Sequence, residues 1–143
     1  MLKLIMKKII LGLLIFLGIL FIVFCIVFLS LNKNKSSSSF YTQIIDGKIY
    51  HLLQSKTPAE WTKGLMYYKN KSELKGADGM IFIFPTKIVQ SFWNENTYLD
   101  LDLYWMDGET VVGKSYLPSI LRTKKPFTVN SPGEIDRVAE IIR

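Results

Sequence analysis

The chain has 143 residues, room for one modest domain and an appended segment, which excludes a multidomain enzyme. Its formal charge of +6 gathers at the N-terminal end: without Lys3, Lys7, Lys8, Lys33 and Lys35, thirteen basic residues face twelve acidic ones. A nucleic-acid-binding face on the folded part is therefore not expected, because the excess charge brackets an apolar run instead.

Residues 1–8 read as a short cytoplasmic N-terminus. Residues 9–31, IILGLLIFLGILFIVFCIVFLSL, hold no charge. As a helix rising about 1.5 Å per residue they reach about 34 Å, enough to span a bilayer. Bulky residues continue to Leu31 with no small-residue cleavage site, so the segment is expected to persist as an anchor. Three lysines precede it against two just after, which favours a cytoplasmic N-terminus and places the remainder outside the cytoplasm. The expectation is a single-pass protein of the cell membrane with the lipid bilayer as its first partner. Cys25, the sole cysteine, lies inside the run and reads as a small apolar residue, so no intrachain disulfide is possible. Gly12 and Gly18 do not have the spacing of a G-x-x-x-G contact face.

Residues 32–39, NKNKSSSS, read as a polar linker, and a β-rich domain is expected over residues 40–143. Asp46-Gly47 predicts a hairpin turn between two short strands. TPAEWTKG, residues 57–64, predicts a short helix: Thr57 can cap it, Pro58 suits its first turn, Glu60 completes a capping box and Gly64 can end it in a left-handed conformation. A polar loop then leads to MIFIF, residues 80–84, a buried strand expected to stop at Pro85. KIVQSFW, residues 87–93, reads as another strand and NENT, residues 94–97, as a turn. YLDLDLYW alternates strictly, with Leu99, Leu101, Leu103 and Trp105 on one face and Tyr98, Asp100, Asp102 and Tyr104 on the other. Beyond Pro118 the pattern weakens, with PFTV and RVAEII as strand candidates around an SPGEID turn. The fold class is mostly β (α+β): a small barrel-like or sandwich domain with one short helix, preceded by a transmembrane helix.

Residues 108–115, GETVVGKS, match the phosphate-loop string G-x-x-x-x-G-K-[ST]. The string works only when a helix opens near its lysine, whereas Thr110, Val111 and Val112 are strand formers and Pro118 would fall early in that helix. A β-hairpin turning at Asp107-Gly108 is expected, with no nucleotide and no cofactor.

TPAEWTKGLM, GMIFIF, SFW, NT and LDLYWMDGETVV occur in that order, and the series resembles the domain of unknown function 192 family over residues 52–143. The matching positions include Gly64, Leu65 and Met66, residues 79–82, Phe92, Trp93, Asn96, Thr97, Leu101, Asp102 and Asp107. The resemblance implies a compact, mostly β domain, commonly exported or membrane-tethered, without an established activity. Family members often carry Met and Lys where this chain has Asn94 and Glu95. Many also continue past the final strand, so either an incompletely closed sheet or a short variant of the family is an expectation here.

No catalytic constellation is visible, and neither metal nor catalytic residues are assigned. Asp100 and Asp102 share a strand face about 7 Å apart, too far for one small ion to bridge unaided. His51 is the only histidine and sits in a strand-like stretch. Aromatic residues exceed what a small core needs, so Tyr98 and Tyr104 are candidates for a surface platform. The expected function is a membrane-anchored binding or interaction module, with Trp93, Asn96, Asp102 and Tyr104 as ligand contacts and an envelope protein or glycan as partner. The alternatives are an envelope hydrolase using Asp102 with Glu95 or His51, and an assembly role through the membrane helix.

Overall fold

The computed structural model describes Met6, Gly12 and residues 16–24 and 40–143. The chain divides into two units, Met1–Ser38 and Ser39–Arg143. In the first, residues 16–24 are helical and their large apolar side chains are exposed. Among the described residues no helix is long and apolar enough to cross a membrane. The predicted span over residues 9–31 lies for the most part outside the described residues, and the predicted linker over 32–39 entirely so.

The second unit is built on β1 (Tyr41–Ile45), β2 (Lys48–Ser55), β3 (Gly79–Trp93), β4 (Leu101–Asp107), β5 (Thr110–Leu117) and β6 (Thr128–Ile142). The sheet order is β1-β2-β3-β6-β4-β5. Asp46 and Gly47, both at positive φ, make the hairpin turn between β1 and β2 that their sequence predicts. β2 and β3 pair in parallel, so the chain between them must cross over. That crossover carries α1 (Pro58–Lys63) and a 3-10 turn (Lys71–Leu74). Thr57 caps α1 as expected: its Oγ1 accepts from the Glu60 N–H, and Glu60 Oε2 accepts from the Thr57 N–H. After β5, Ser119 caps α2 (Ile120–Thr123), and β6 inserts between β3 and β4.

The strands form a single open sheet rather than the predicted barrel or sandwich, with β1 and β5 as its edges, and two short α-helices replace the predicted one. The stretches expected as separate strands, MIFIF with KIVQSFW and PFTV with RVAEII, are each one strand of 15 residues. Pro85 and Pro132 do not end them, because the β3–β6 register shifts between Ile83 and Ile88 and again between Val89 and Ser91. At such irregularities a ladder does without the N–H that proline lacks.

Alternation gives the sheet two apolar faces. On the α1 face Phe82, Leu101, Leu103, Trp105 and Val138 pack beneath Leu65 and Leu74. On the far face Leu52, Ile81, Tyr104, Met106, Ala139 and Ile141 form a second cluster. Each such side chain contributes roughly 1.5–3 kcal/mol when fully withdrawn from water. Both central faces are covered over β6, so a polar side chain there is cut off from solvent. The alternating stretch behaves as predicted on its apolar side, but its other side is only partly wet: Tyr104 is 6% exposed and packs in the far cluster instead of standing on the surface.

Candidate functional site

A groove of about 280 Å³ runs between α1 and the outer half of β3, walled by Trp61, Phe84, Phe92 and Trp93 with Thr62, Gln90 and Ser91 supplying polar atoms. Trp61, Thr62, Phe92 and Trp93 also wall a smaller void of about 30 Å³ next to it, which reaches in to Glu140. The aromatic walls hold one another in place. Phe82 and Phe92 meet edge to face at 4.8 Å between ring centroids, Trp61 and Phe84 lie 5.2 Å apart, and the Trp61 indole N–H donates to the Ser55 carbonyl at 3.1 Å.

Glu140 lies on β6 between Met80 of β3 and Leu103 of β4, on the same face as Val138. It is 4% exposed, and its Oε2 has no hydrogen-bond partner among the described residues. Burial pushes its carboxyl up to about 8. Near neutral pH the group is therefore largely protonated, and a modest stabilisation of the charged form would ionise it.

The chain reaches this point through two close approaches. At Gly79 a Cβ would fall 1.8 Å from the Glu140 carbonyl oxygen, so only glycine lets β3 pass β6 there. At Gly64, which ends α1, φ is 46°, positive as expected although ψ of −133° is not left-handed helical. A Cβ at Gly64 would meet the Phe82 ring at 3.1 Å and Glu140 Oε2 at 3.8 Å. Leu65 and Met66 then turn over the void, and the Tyr67 N–H donates to the Asn96 carbonyl at 2.9 Å, tying this loop to the 94–97 turn. Gly64, Leu65, Met66, Phe82, Phe92, Trp93 and Thr97, scattered in sequence among the stretches that carry the family resemblance, converge on this one void.

The four residues expected as ligand contacts are divided between two places. Trp93 walls both groove and void and is 49% exposed. Asn96 stands at φ 54° and acts through its backbone carbonyl. Asp102 and Tyr104 lie on the far face of the sheet. There Lys114 Nζ donates to Tyr104 Oη at 3.0 Å and sits 3.1 Å from Asp102 Oδ2, with Arg143 also within 3.4 Å of that carboxylate. These hydrogen bonds, donated to Tyr104 first and to Asp102 second, hold the Lys114 ammonium above its usual range. Residues 108–115 accordingly form the hairpin between β4 and β5, and their lysine is committed to this cluster.

The 94–97 turn is braced by Asn94. Asn94, fully buried, donates from Nδ2 to the Pro118 carbonyl at 2.8 Å and to Thr123 Oγ1 at 2.9 Å, and its Oδ1 accepts from the Phe127 N–H at 2.7 Å. Asp100 accepts from the Ser119 N–H, Tyr116 and Arg122; burial raises its carboxyl, but these bonds together outweigh it and hold the group below its usual range.

The hydrolase pairing of Asp102 with His51 is overturned by the sheet order. His51 is on β2, three strand spacings or about 14 Å from β4, beyond the reach of direct proton transfer. Glu95 makes its described contact through its carbonyl, which accepts from Thr97 Oγ1 at 3.3 Å. Glu140 is the residue that sequence reasoning passed over. The signal was present: it is the one charge inside the apolar run VAEII, in phase with Val138 and Ile142.

The family model DUF192, described as an uncharacterised ACR, matches residues 42–141, so the matched region includes β1 and β2 and starts earlier than the predicted residue 52. No curated protein matches the chain. A proposed transcription regulator from Sinorhizobium meliloti 1021 is similar in structure, with TM-score 0.55, 21% identity, and coverage of 73% of this chain and 82% of that one. A protein of unknown function from Novosphingobium aromaticivorans DSM 12444 is similar at TM-score 0.56 and 23% identity, over 71% of this chain and 69% of that one. At these identities the likeness concerns the fold alone.

Proposed function

Because this chain belongs to the DUF192 family, whose description names no activity, its own geometry has to carry the functional reading, and we propose that it is a membrane-anchored ligand-binding module. The domain over residues 40–143 stands outside the cytoplasm, held by the apolar segment over residues 9–31. In support, that segment is free of charge, residues 16–24 are helical with exposed apolar side chains, and lysines flank it asymmetrically. The ligand lies in the groove between α1 and β3, not on the Asp102–Tyr104 face.

One observation carries the binding reading: a buried carboxyl with an unpartnered oxygen lines a small void that shares Trp61, Thr62, Phe92 and Trp93 with the aromatic-walled groove. A buried polar atom without a partner costs free energy, so a ligand group that supplies the partner gains that amount on binding. Aromatic rings around a single buried carboxyl are the lining of a recognition site: apolar area for affinity and one polar group for orientation.

Two measurements on the full chain in lipid nanodiscs or cells test the reading. A fragment screen followed by NMR is expected to perturb the indole signals of Trp61 and Trp93, and Trp93→Ala is expected to weaken the response at Trp61. Hits confined to the Asp102 face, or none at all, would refute the groove. A reporter fused after Arg143 should be active outside the cytoplasm, and activity only inside it would overturn the topology.

A further inference from the structure

Resting on the groove as the binding site, we infer that its occupant is a primary ammonium on an aliphatic stem, the head seated against Glu140 and the methylenes lying along the aromatic walls. Size selects the head first. The inner void of about 30 Å³ holds about one or two water-sized groups, which suits an ammonium better than a sugar ring or a phosphate. Charge selects next. Glu140 is the sole acidic side chain lining the void among the described residues, and its buried Oε2 has no hydrogen-bond partner among them. Phe82, Phe92, Trp61 and Trp93 line the same void, and the negative faces of aromatic rings attract cations, most of all in a desolvated site.

Binding of this kind is linked to protons. The vacant carboxyl is mostly neutral below pH 8, whereas an ammonium partner favours the carboxylate, so the cation enters as Glu140 loses its proton to solvent. The charged and polar groups facing Glu140 are few. α1 brings Lys63, exposed at the edge of the void, and Thr62; the 94–97 turn brings Thr97; β3 and β4 bring only apolar side chains. Lys63 opposes an incoming cation from the rim, so its removal should tighten binding.

The test is calorimetric titration of the full chain in nanodiscs with n-butylamine, Nα-acetyl-lysine amide and n-butanol, at pH 6, 7 and 8 and in two buffers of different ionisation enthalpy. Butylamine affinity is expected to rise about tenfold per pH unit below pH 8, with release of close to one proton per site at pH 7. Butanol should bind at least about tenfold more weakly at pH 8 and without pH dependence. Glu140→Gln should remove both the amine preference and the proton release, while Lys63→Gln strengthens amine binding. Tighter binding by the lysine amide than by butylamine identifies a protein lysine as the source, and the reverse identifies a free amine; either order supports the ammonium site. Equal binding of butanol and butylamine, pH-independent binding, or amine binding unchanged in folded Glu140→Gln would overturn the inference while leaving the groove in place. No response to any of the three probes, in a protein whose groove has answered the fragment screen, would overturn it as well. Failure of that screen would remove the groove reading itself.

Discussion

Gly64 stands directly over the carboxyl of Glu140: a Cβ on this glycine would come within 3.8 Å of Oε2 and 3.1 Å of the Phe82 ring. The end of α1 is thus the roof of the void, and its backbone, at φ 46°, takes a conformation that side chains resist. Gly64→Ala is expected to cost about 1–2 kcal/mol of stability and to shrink the void. Chemical denaturation reads the first effect and loss of the groove's ligand response the second. A variant as stable as the parent with full binding would show that the roof does not press on the site.

Glu140 makes stability fall with rising pH. In the unfolded chain the carboxyl titrates near its ordinary value, whereas in the folded chain it holds its proton up to about 8. Between those values the unfolded state binds fewer protons than the native state, so unfolding stability declines, by up to about 1.4 kcal/mol per pH unit, and levels off above pH 8. Below the unfolded-state value both states are protonated and the effect vanishes. Glu140→Gln should flatten this slope between pH 5 and 8 and make the protein more stable than the parent at pH 8. Denaturation midpoints across that range measure it, and a parallel slope in the two proteins would contradict it.

Asn94 shows why part of the site was legible in the sequence and part was not. NENT announces a turn through local chemistry, and the hairpins at Asp46-Gly47 and Asp107-Gly108, the capping box of α1 and the alternation of YLDLDLYW are local in the same sense. Their outcome depends on neighbours a few residues away. What Asn94 bonds to lies 24 to 33 positions off, at Pro118, Thr123 and Phe127, and no local pattern encodes that. The strands spanning Pro85 and Pro132 were hidden for a similar reason, since each proline is tolerated only because the opposite strand shifts register there. Glu140 escaped because its phase with Val138 and Ile142 matters only once both faces of β6 are known to be covered.

Asn94→Ala follows from the same bonds. It leaves the Phe127 N–H and the Pro118 carbonyl without a partner in a buried turn, and is expected to cost about 2–3 kcal/mol, visible as a lowered denaturation midpoint. A change below about 0.5 kcal/mol would mean that the turn is braced elsewhere.

The two faces of the sheet separate binding from packing. Asp102→Asn loosens a partly exposed ion pair with Lys114 and is expected to change stability by no more than about 1 kcal/mol, with ligand response intact. Trp93→Ala, on the groove, is expected to leave the fold in place and weaken binding by about tenfold or more. The reverse pattern would return the site to the Asp102–Tyr104 face.

The most direct test of the groove ending in Glu140 is the titration of that carboxyl itself. In the full chain, with glutamate labelled at the carboxyl carbon and Glu140 assigned by comparison with Glu140→Gln, the NMR shift should report a midpoint near 8 in the vacant protein. Saturation with n-butylamine should move that midpoint down toward the ordinary carboxylate range. A midpoint already in the ordinary range, or one near 8 that no ligand of the groove displaces, would contradict the account.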